Sequence, residues 1–97
     1  MMKVSLSDKV EISPEVLCQE VSGEMVLLDL NSEAYFGLDA TGTRIWQLIS
    51  ETGDLQSAFD NMLAEYDVEE DQLHREFTDL LAQLADEGLV SINPSHN

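Results

Sequence analysis

The sequence predicts an α+β fold in which a three-stranded antiparallel sheet is followed by three helices. In the first half, apolar segments of strand length alternate with turn residues. In the second half, apolar residues recur at intervals of three and four, which is the period of an amphipathic helix. Asp39 stands directly before the first helical pattern, where its carboxylate can cap the helix. These observations place the change from sheet to helix near residue 39.

Three segments are predicted to be strands. Residues 15–21 and 24–30 are separated by a Ser-Gly pair at 22–23, a two-residue connection typical of a hairpin. After an Asn-Ser turn at 31–32, residues 34–38 form the third strand. Because consecutive hairpins make a meander, the apolar second strand lies in the middle and the third is left at an edge.

The segments that flank this pattern are predicted to contribute less. Residues 1–8 form a loose lead-in, and residues 10–12 are at most an edge strand before Pro14, which has no N–H to donate. At the other end, Gly88 is a suitable residue to end the last helix. Residues 89–92 are a short apolar exit that could pack or pair with the sheet before a polar tail.

Each predicted helix has a capping residue. Asp39 caps the first, which carries Trp46, and Asp54 caps the second. Asp67 is predicted to cap the third, with Glu70 three residues later as its capping-box partner. The apolar face of the second helix consists of Leu55, Ala58, Phe59, Met62, Leu63 and Tyr66. We expect the aromatic residues on the helical faces to lie in the core.

Length and composition predict a single domain, 1–97, with a core at about residues 10–92. The chain has 97 residues, 43% of them apolar, with two Pro and five Gly. Cys18 is the only cysteine, so no internal disulfide can form; it is expected to be semi-buried and inert. There is no signal-peptide pattern and no apolar run of roughly 20 residues. We therefore expect a soluble, cytoplasmic protein.

The charge excludes whole classes of ligand. Twenty acidic residues face four basic ones, which gives a net charge of −16, and the basic residues are scattered. Because binding to a nucleic-acid duplex needs clustered Lys and Arg, and the negative field repels anionic surfaces, nucleic acid and anionic membranes are not expected as partners. The acidic surface can serve solubility alone or steer a basic partner, and both interpretations stay open.

The sequence does not predict an enzyme. His74 and His96 form no metal-ligand spacing with Cys18 or with each other. Carboxylate pairs are expected by chance among 20 acidic residues, and no EF-hand or glycine-rich phosphate loop occurs. We expect no catalytic residues, no metal and no cofactor.

The third helix has a wide uncharged face. Its predicted core stripe consists of Leu73, Phe77, Leu80 and Leu84. Beside it runs a second uncharged stripe of His74, Thr78, Leu81 and Ala85. The opposite flank consists of Gln72, Glu76, Asp79, Gln83 and Asp86. The second stripe is either part of a broad core face or one wall of a groove whose other wall is the edge strand.

Five short segments occur in the order and spacing of a known family: VLLDL at 26–30, YFGLDATG at 35–42, IW at 45–46, AEYDV at 64–68 and LLAQLADEGLV at 80–90. On these segments the chain resembles the PqqD-like family from about Val16 to Val90. Members of that family are the peptide-recognition domains of ribosomal peptide modification pathways. The resemblance implies a winged-helix-like domain that binds the leader part of a precursor peptide and presents it to a maturation enzyme.

The resemblance also implies a site. In the family the leader adds as a strand to the third strand and lies against the third helix. Carried over to this sequence, the peptide-binding residues are Ala34, Tyr35, Phe36, Gly37, Leu38, His74, Thr78, Leu81 and Ala85. The segment at 35–42 is closer to members from lasso-peptide clusters than to the member for the quinone cofactor PQQ. The implied partner is a leader peptidase, a cyclase or a radical enzyme.

One alternative is a winged-helix regulatory or protein-interaction domain without a peptide substrate. Winged helices often bind DNA, but the lack of a basic cluster argues against that use here. An exposed edge strand can also pair two copies of the protein, which would give a homodimer.

Overall fold

The computed structural model describes residues 4–93 and confirms the predicted α+β class. The elements, in chain order, are β1 (Lys9–Ile12), β2 (Val16–Val21), β3 (Glu24–Asp29), β4 (Ala34–Leu38), α1 (Ala40–Thr52), α2 (Leu55–Glu65), α3 (Glu70–Asp86) and β5 (Val90–Asn93). The first three residues of the predicted lead-in and the predicted polar tail from residue 94, with His96, lie outside the described residues.

The main sheet is the predicted antiparallel meander, with the order β2-β3-β4. Leu27 in the middle strand pairs with Cys18 on one side and with Phe36 on the other. Ser22 and Gly23 connect β2 to β3 with φ values of 55° and 83°. Two positive φ values are typical of the type I′ turn, whose twist matches that of the flanking strands. The hairpin prediction is therefore confirmed.

A second, two-stranded sheet joins the two ends of the described chain. β1 pairs with β5, with Val10 opposite Ile92, so neither strand pairs with the main sheet. The lead-in is also less loose than predicted. Val4 and Asp8 are each 8% exposed, and Asp8 Oδ2 accepts a hydrogen bond from the Ser5 N–H at 3.0 Å. Val4 belongs to the hydrophobic core, whereas the hydrogen bond of Asp8 is local, so the lead-in is ordered by both kinds of contact.

The helix boundaries follow the predicted caps in two cases out of three. Asp39 accepts a hydrogen bond from the Gly42 N–H at 2.8 Å. Asp54 is the N-cap residue of α2, as predicted, but its side chain makes no capping bond. The prediction for α3 is wrong, because its N-cap is Glu69 and not Asp67, and no side-chain capping bond forms. The chain is still extended at Tyr66 and at Glu69, so the helix begins later than the capping-box pattern indicates.

The core lies between the inner face of the main sheet and the three helices. Phe59 of α2 and Phe77 of α3 are buried and meet edge to face, with ring centroids 5.6 Å apart. Trp46 is buried as predicted, and Tyr66 packs partly against the core. Cys18 is exposed and not semi-buried, because every residue of β2 after Val16 is exposed.

Candidate peptide-binding site

The outer edge of β4 offers unpaired backbone groups. The two-residue turn makes Val21 and Glu24 a hydrogen-bonded pair, and alternation along β3 then directs the N–H and C=O of Leu27 toward β4. Its partner Phe36 directs its own groups back to β3. The neighbours of Phe36, which are Tyr35 and Gly37, therefore turn their N–H and C=O outward. This edge is the one predicted from the order of the strands.

The side chains of β4 alternate between the two faces of the sheet. Phe36 and Leu38 point inward, where Leu38 is buried and Phe36 is half-buried. Tyr35 points outward and is 75% exposed. A strand added at this edge would alternate in the same way, so every second side chain would face inward.

A groove of about 510 Å³ lies between the inner side of β4 and α3. Its lining consists of Phe36, Gly37, Leu38, Asp39, Thr41, Gly42, Ile45, Glu76, Asp79, Leu80 and Gln83. The first turn of α1 forms one end and approaches β4 closely. A Cβ on Gly42 would lie 3.2 Å from Leu38 Cδ2, so this position favours glycine. Apolar side chains from β4, α1 and α3 therefore meet beneath an open strand edge.

The structure corrects the predicted orientation of α3. Leu81 has no exposed surface, whereas Leu80 is half-buried and lines the groove. Leu80, which was predicted at the core centre, only packs partly against the core, and Leu81, which was predicted to line the groove, lies in the core instead. Phe59 supplies the physical reason, because it packs against Phe77 and also against the His74 ring, whose centroid is 5.7 Å away. This contact turns the side of α3 that carries Leu81 toward α2.

The other predicted helix residues also lie away from the groove. His74 faces Phe59, Thr78 Oγ1 donates to the His74 carbonyl at 2.9 Å, and Ala85 packs partly against the core. The wall formed by α3 consists instead of Glu76, Asp79, Leu80 and Gln83. Their spacing of i, i+3, i+4 and i+7 is visible in the sequence. Glu76, Asp79 and Gln83 belong to the flank opposite the predicted groove stripe, and Leu80 belongs to the predicted core stripe.

Of the five predicted strand residues, Phe36, Gly37 and Leu38 line the groove. Ala34 and Tyr35 belong to the same strand, and Tyr35 lies on its outer face. Whether these residues bind a peptide stays a prediction.

The groove is acidic. Asp39, Glu76 and Asp79 line it, and none of the described lining residues is a lysine or an arginine. In residues 4–93, the one ion pair joins Arg44 and Glu65 at 2.7 Å, outside the groove. The hydrogen bond from Arg44 lowers the pKa of the Glu65 carboxyl, and the same bond raises the pKa of Arg44.

Two further features of the described chain bear on function. No cluster of three or more His, Cys, Asp or Glu side chains in residues 4–93 is arranged to hold a metal ion. No helix in the same range is both long enough and apolar enough to cross a membrane.

Fold and site together define a small α+β domain with an open strand edge above a helix-lined groove. The family model for Coenzyme PQQ synthesis protein D (PqqD) matches residues 24–90. The chain belongs to this family, which confirms the resemblance found in the sequence.

Two solved structures share the fold. TbiB1 in complex with the TbiA(beta) leader peptide is 38% identical to this chain, with a TM-score of 0.78, and the match covers 84% of this chain and 94% of that one. Lasso peptide synthetase B1 complexed with the leader peptide is 22% identical, with a TM-score of 0.66, and the match covers 86% and 98%. The second likeness shows the fold alone. A comparison with curated proteins finds no significant match.

Proposed function

We propose that this protein is a non-catalytic module that binds the leader segment of a ribosomally synthesised precursor peptide. The observation that carries the proposal is the unpaired edge of β4 above the groove between β4 and α3. The proposal is supported by the 38% identity with TbiB1, whose structure contains the TbiA(beta) leader peptide. Addition of a peptide strand to a sheet edge gives main-chain affinity, and pockets at alternate side chains give specificity.

The proposed binding mode follows from the alternation along β4. The leader forms main-chain hydrogen bonds with the outward N–H and C=O groups of Tyr35 and Gly37. Every second leader side chain then enters the groove, where Phe36 and Leu80 supply apolar contact. In this mode, contacts with the α3 residues that line the groove replace the predicted contacts with His74, Thr78, Leu81 and Ala85. The lining residues of α3 are Glu76, Asp79, Leu80 and Gln83.

The bound leader brings the precursor to a maturation enzyme, such as a leader peptidase, a cyclase or a radical enzyme. The contribution of this protein is to raise the local concentration of the substrate, as expected for a binding module that acts in trans. The alternative, a winged-helix regulatory or protein-interaction domain without a peptide substrate, is not favoured. DNA binding in particular is disfavoured, because the exposed flank of α3 carries Glu76 and Asp79, which repel phosphate.

The direct test is a calorimetric titration with the leader of a precursor peptide encoded in the same gene cluster, alongside the TbiA(beta) leader. We expect a dissociation constant from tens of nanomolar to micromolar for the cognate leader, or about −8 to −10 kcal/mol. A leader of the same composition in scrambled order is the control. Absence of heat, together with unchanged amide signals for Tyr35 to Leu38, would refute the proposal.

Recruitment has its own test. The maturation enzyme is assayed with and without this protein, at precursor concentrations well below saturation. We expect faster processing when the protein is present, and we expect excess detached leader to abolish the gain. Equal rates with and without the protein would leave leader binding intact but remove the recruitment step.

A further inference from the structure

The wall of the groove formed by α3 carries negative charge that no described side chain neutralises. Glu76 and Asp79 are exposed, line the groove, and accept no side-chain hydrogen bond or ion pair from residues 4–93. Arg75 lies four residues before Asp79 on the same helix, but the two do not form an ion pair. Asp39, the third acidic lining residue, already caps α1. The two carboxylates on α3 are therefore available to a ligand.

Along α3, Leu80 follows these two carboxylates and precedes Gln83, so the wall presents an apolar side chain next to acidic ones. Glu76 and Leu80 are one helical turn apart, which is about 6 Å along the helix axis. Two inward side chains of an extended peptide, at positions i and i+2, are about 6.6 Å apart. One inward residue can therefore contact Leu80 while the next one reaches Glu76 and Asp79.

We propose that the groove selects leader segments in which a lysine or an arginine stands two positions from an apolar residue on the inward face of the added strand. The apolar residue packs against Leu80, and the cation pairs with Glu76 and Asp79. This inference rests on the proposed function and specifies the chemistry of its ligand. Charge complementarity supports it further, because the chain has a net charge of −16 and attracts a cationic segment.

The test compares two double variants that remove the same charge. Glu76→Gln/Asp79→Asn neutralises the groove wall, and Glu11→Gln/Glu20→Gln neutralises two exposed carboxylates on β1 and β2. Binding of the cognate leader is measured by calorimetry at roughly 50 mM salt and again at roughly 500 mM, where charges are more strongly screened. Thermal melts of both variants verify that they are folded.

We expect the groove variant to bind roughly three- to tenfold more weakly at low salt, and the control variant to change by less than about twofold. The difference should shrink at high salt. A leader whose basic residue is replaced by glutamine should bind the unchanged protein as weakly as the original leader binds the groove variant. The groove variant should bind this altered leader with no further loss of affinity, as a double-mutant cycle requires for a direct pair. Glu76→Lys should in turn bind a leader with glutamate at the basic position better than the original leader.

Equal losses in the two double variants would overturn the inference, because the effect would then be that of net charge. A cognate leader that binds through a segment without lysine or arginine would also overturn it. These outcomes differ from failure of the proposed function, in which the unchanged protein binds no leader at all.

Discussion

The backbone N–H of Met25 donates a hydrogen bond to Thr43 Oγ1 at 2.9 Å, which joins β3 to the first turn of α1. The same hydroxyl donates to the Leu38 carbonyl at 3.4 Å. Met25 and Leu38 are opposite each other in the sheet, so the Thr43 hydroxyl bridges the ends of two strands. Thr43 is 4% exposed, and this buried bridge holds the start of α1 under the end of β4. It therefore positions one end of the groove.

We expect Thr43→Val to destabilise the protein by about 1–3 kcal/mol, because it leaves a buried N–H and a buried C=O without their partner. Valine keeps the shape of the side chain, so the loss isolates the hydroxyl. Thr78→Val is the matched control, since the Thr78 hydroxyl contacts only carbonyls of its own helix. Urea unfolding measures both changes. Equal stability of the Thr43 variant and the unchanged protein would contradict the bridging role.

The two adjacent leucines of α3 should respond differently to truncation. We expect Leu81→Ala to lower the free energy of unfolding by about 2–5 kcal/mol, because it opens a cavity in the core. Leu80→Ala should cost much less stability but weaken leader binding, because Leu80 lines the groove. Denaturant melts and calorimetric titration of both variants provide the comparison. A larger stability loss for Leu80→Ala than for Leu81→Ala would mean that Leu80 lies in the core, which would contradict the orientation of α3.

Amide hydrogen exchange should show a two-residue period along β4. In the free protein, the outward N–H groups of Tyr35 and Gly37 should exchange quickly, whereas that of Phe36 is paired with β3 and should be protected. Addition of leader peptide should protect Tyr35 and Gly37 selectively, as recorded by NMR. Uniform protection of all β4 amides on binding would indicate general stabilisation instead of strand addition.

The Arg44 and Glu65 pair should make a contribution to stability that depends on pH. The hydrogen bond from Arg44 places the pKa of Glu65 below its ordinary value of 4.5. The folded state therefore favours the charged carboxylate, so the contribution is present above pH 4.5 and is lost as pH falls through the lowered pKa.

The matching variant is Arg44→Gln. We expect it to be slightly less stable than the unchanged protein at pH 7, because both side chains of the pair are about one-third exposed (34% and 36%). The difference in stability between the two proteins should narrow as pH falls below 4.5. Thermal melts of both proteins between pH 7 and pH 3 measure it, and a gap that widens on acidification would disprove this account. The pKa of Asp54 is also lowered, mainly by the hydrogen bond from Ser57. Because both proteins contain Asp54, its titration does not contribute to the difference in stability between them.

Local signals predicted most of the fold. The Ser-Gly pair at 22–23 specified a hairpin, and Asp39 marked the start of α1, because both act through atoms a few residues away. The edge position of β4 followed from the order of the hairpins. Pairing of β1 with β5 was not predicted as such, because it joins residues more than 75 positions apart. The start of α3 after Glu69 was also not predicted, and the backbone is still extended at that residue.

The sequence by itself determined the three strands of the main sheet, the approximate extent of the three helices and the edge position of β4. It did not determine which flank of α3 meets that edge. Leu80 and Leu81 lie about 100° apart on the helix, on either side of the stripe that runs through Leu73, Phe77 and Leu84, so helical periodicity admits either one into the core. Packing of Phe59 against His74 and Phe77 rotated the helix toward Leu81. That tertiary contact, and no local pattern, placed Glu76, Asp79 and Leu80 in the groove.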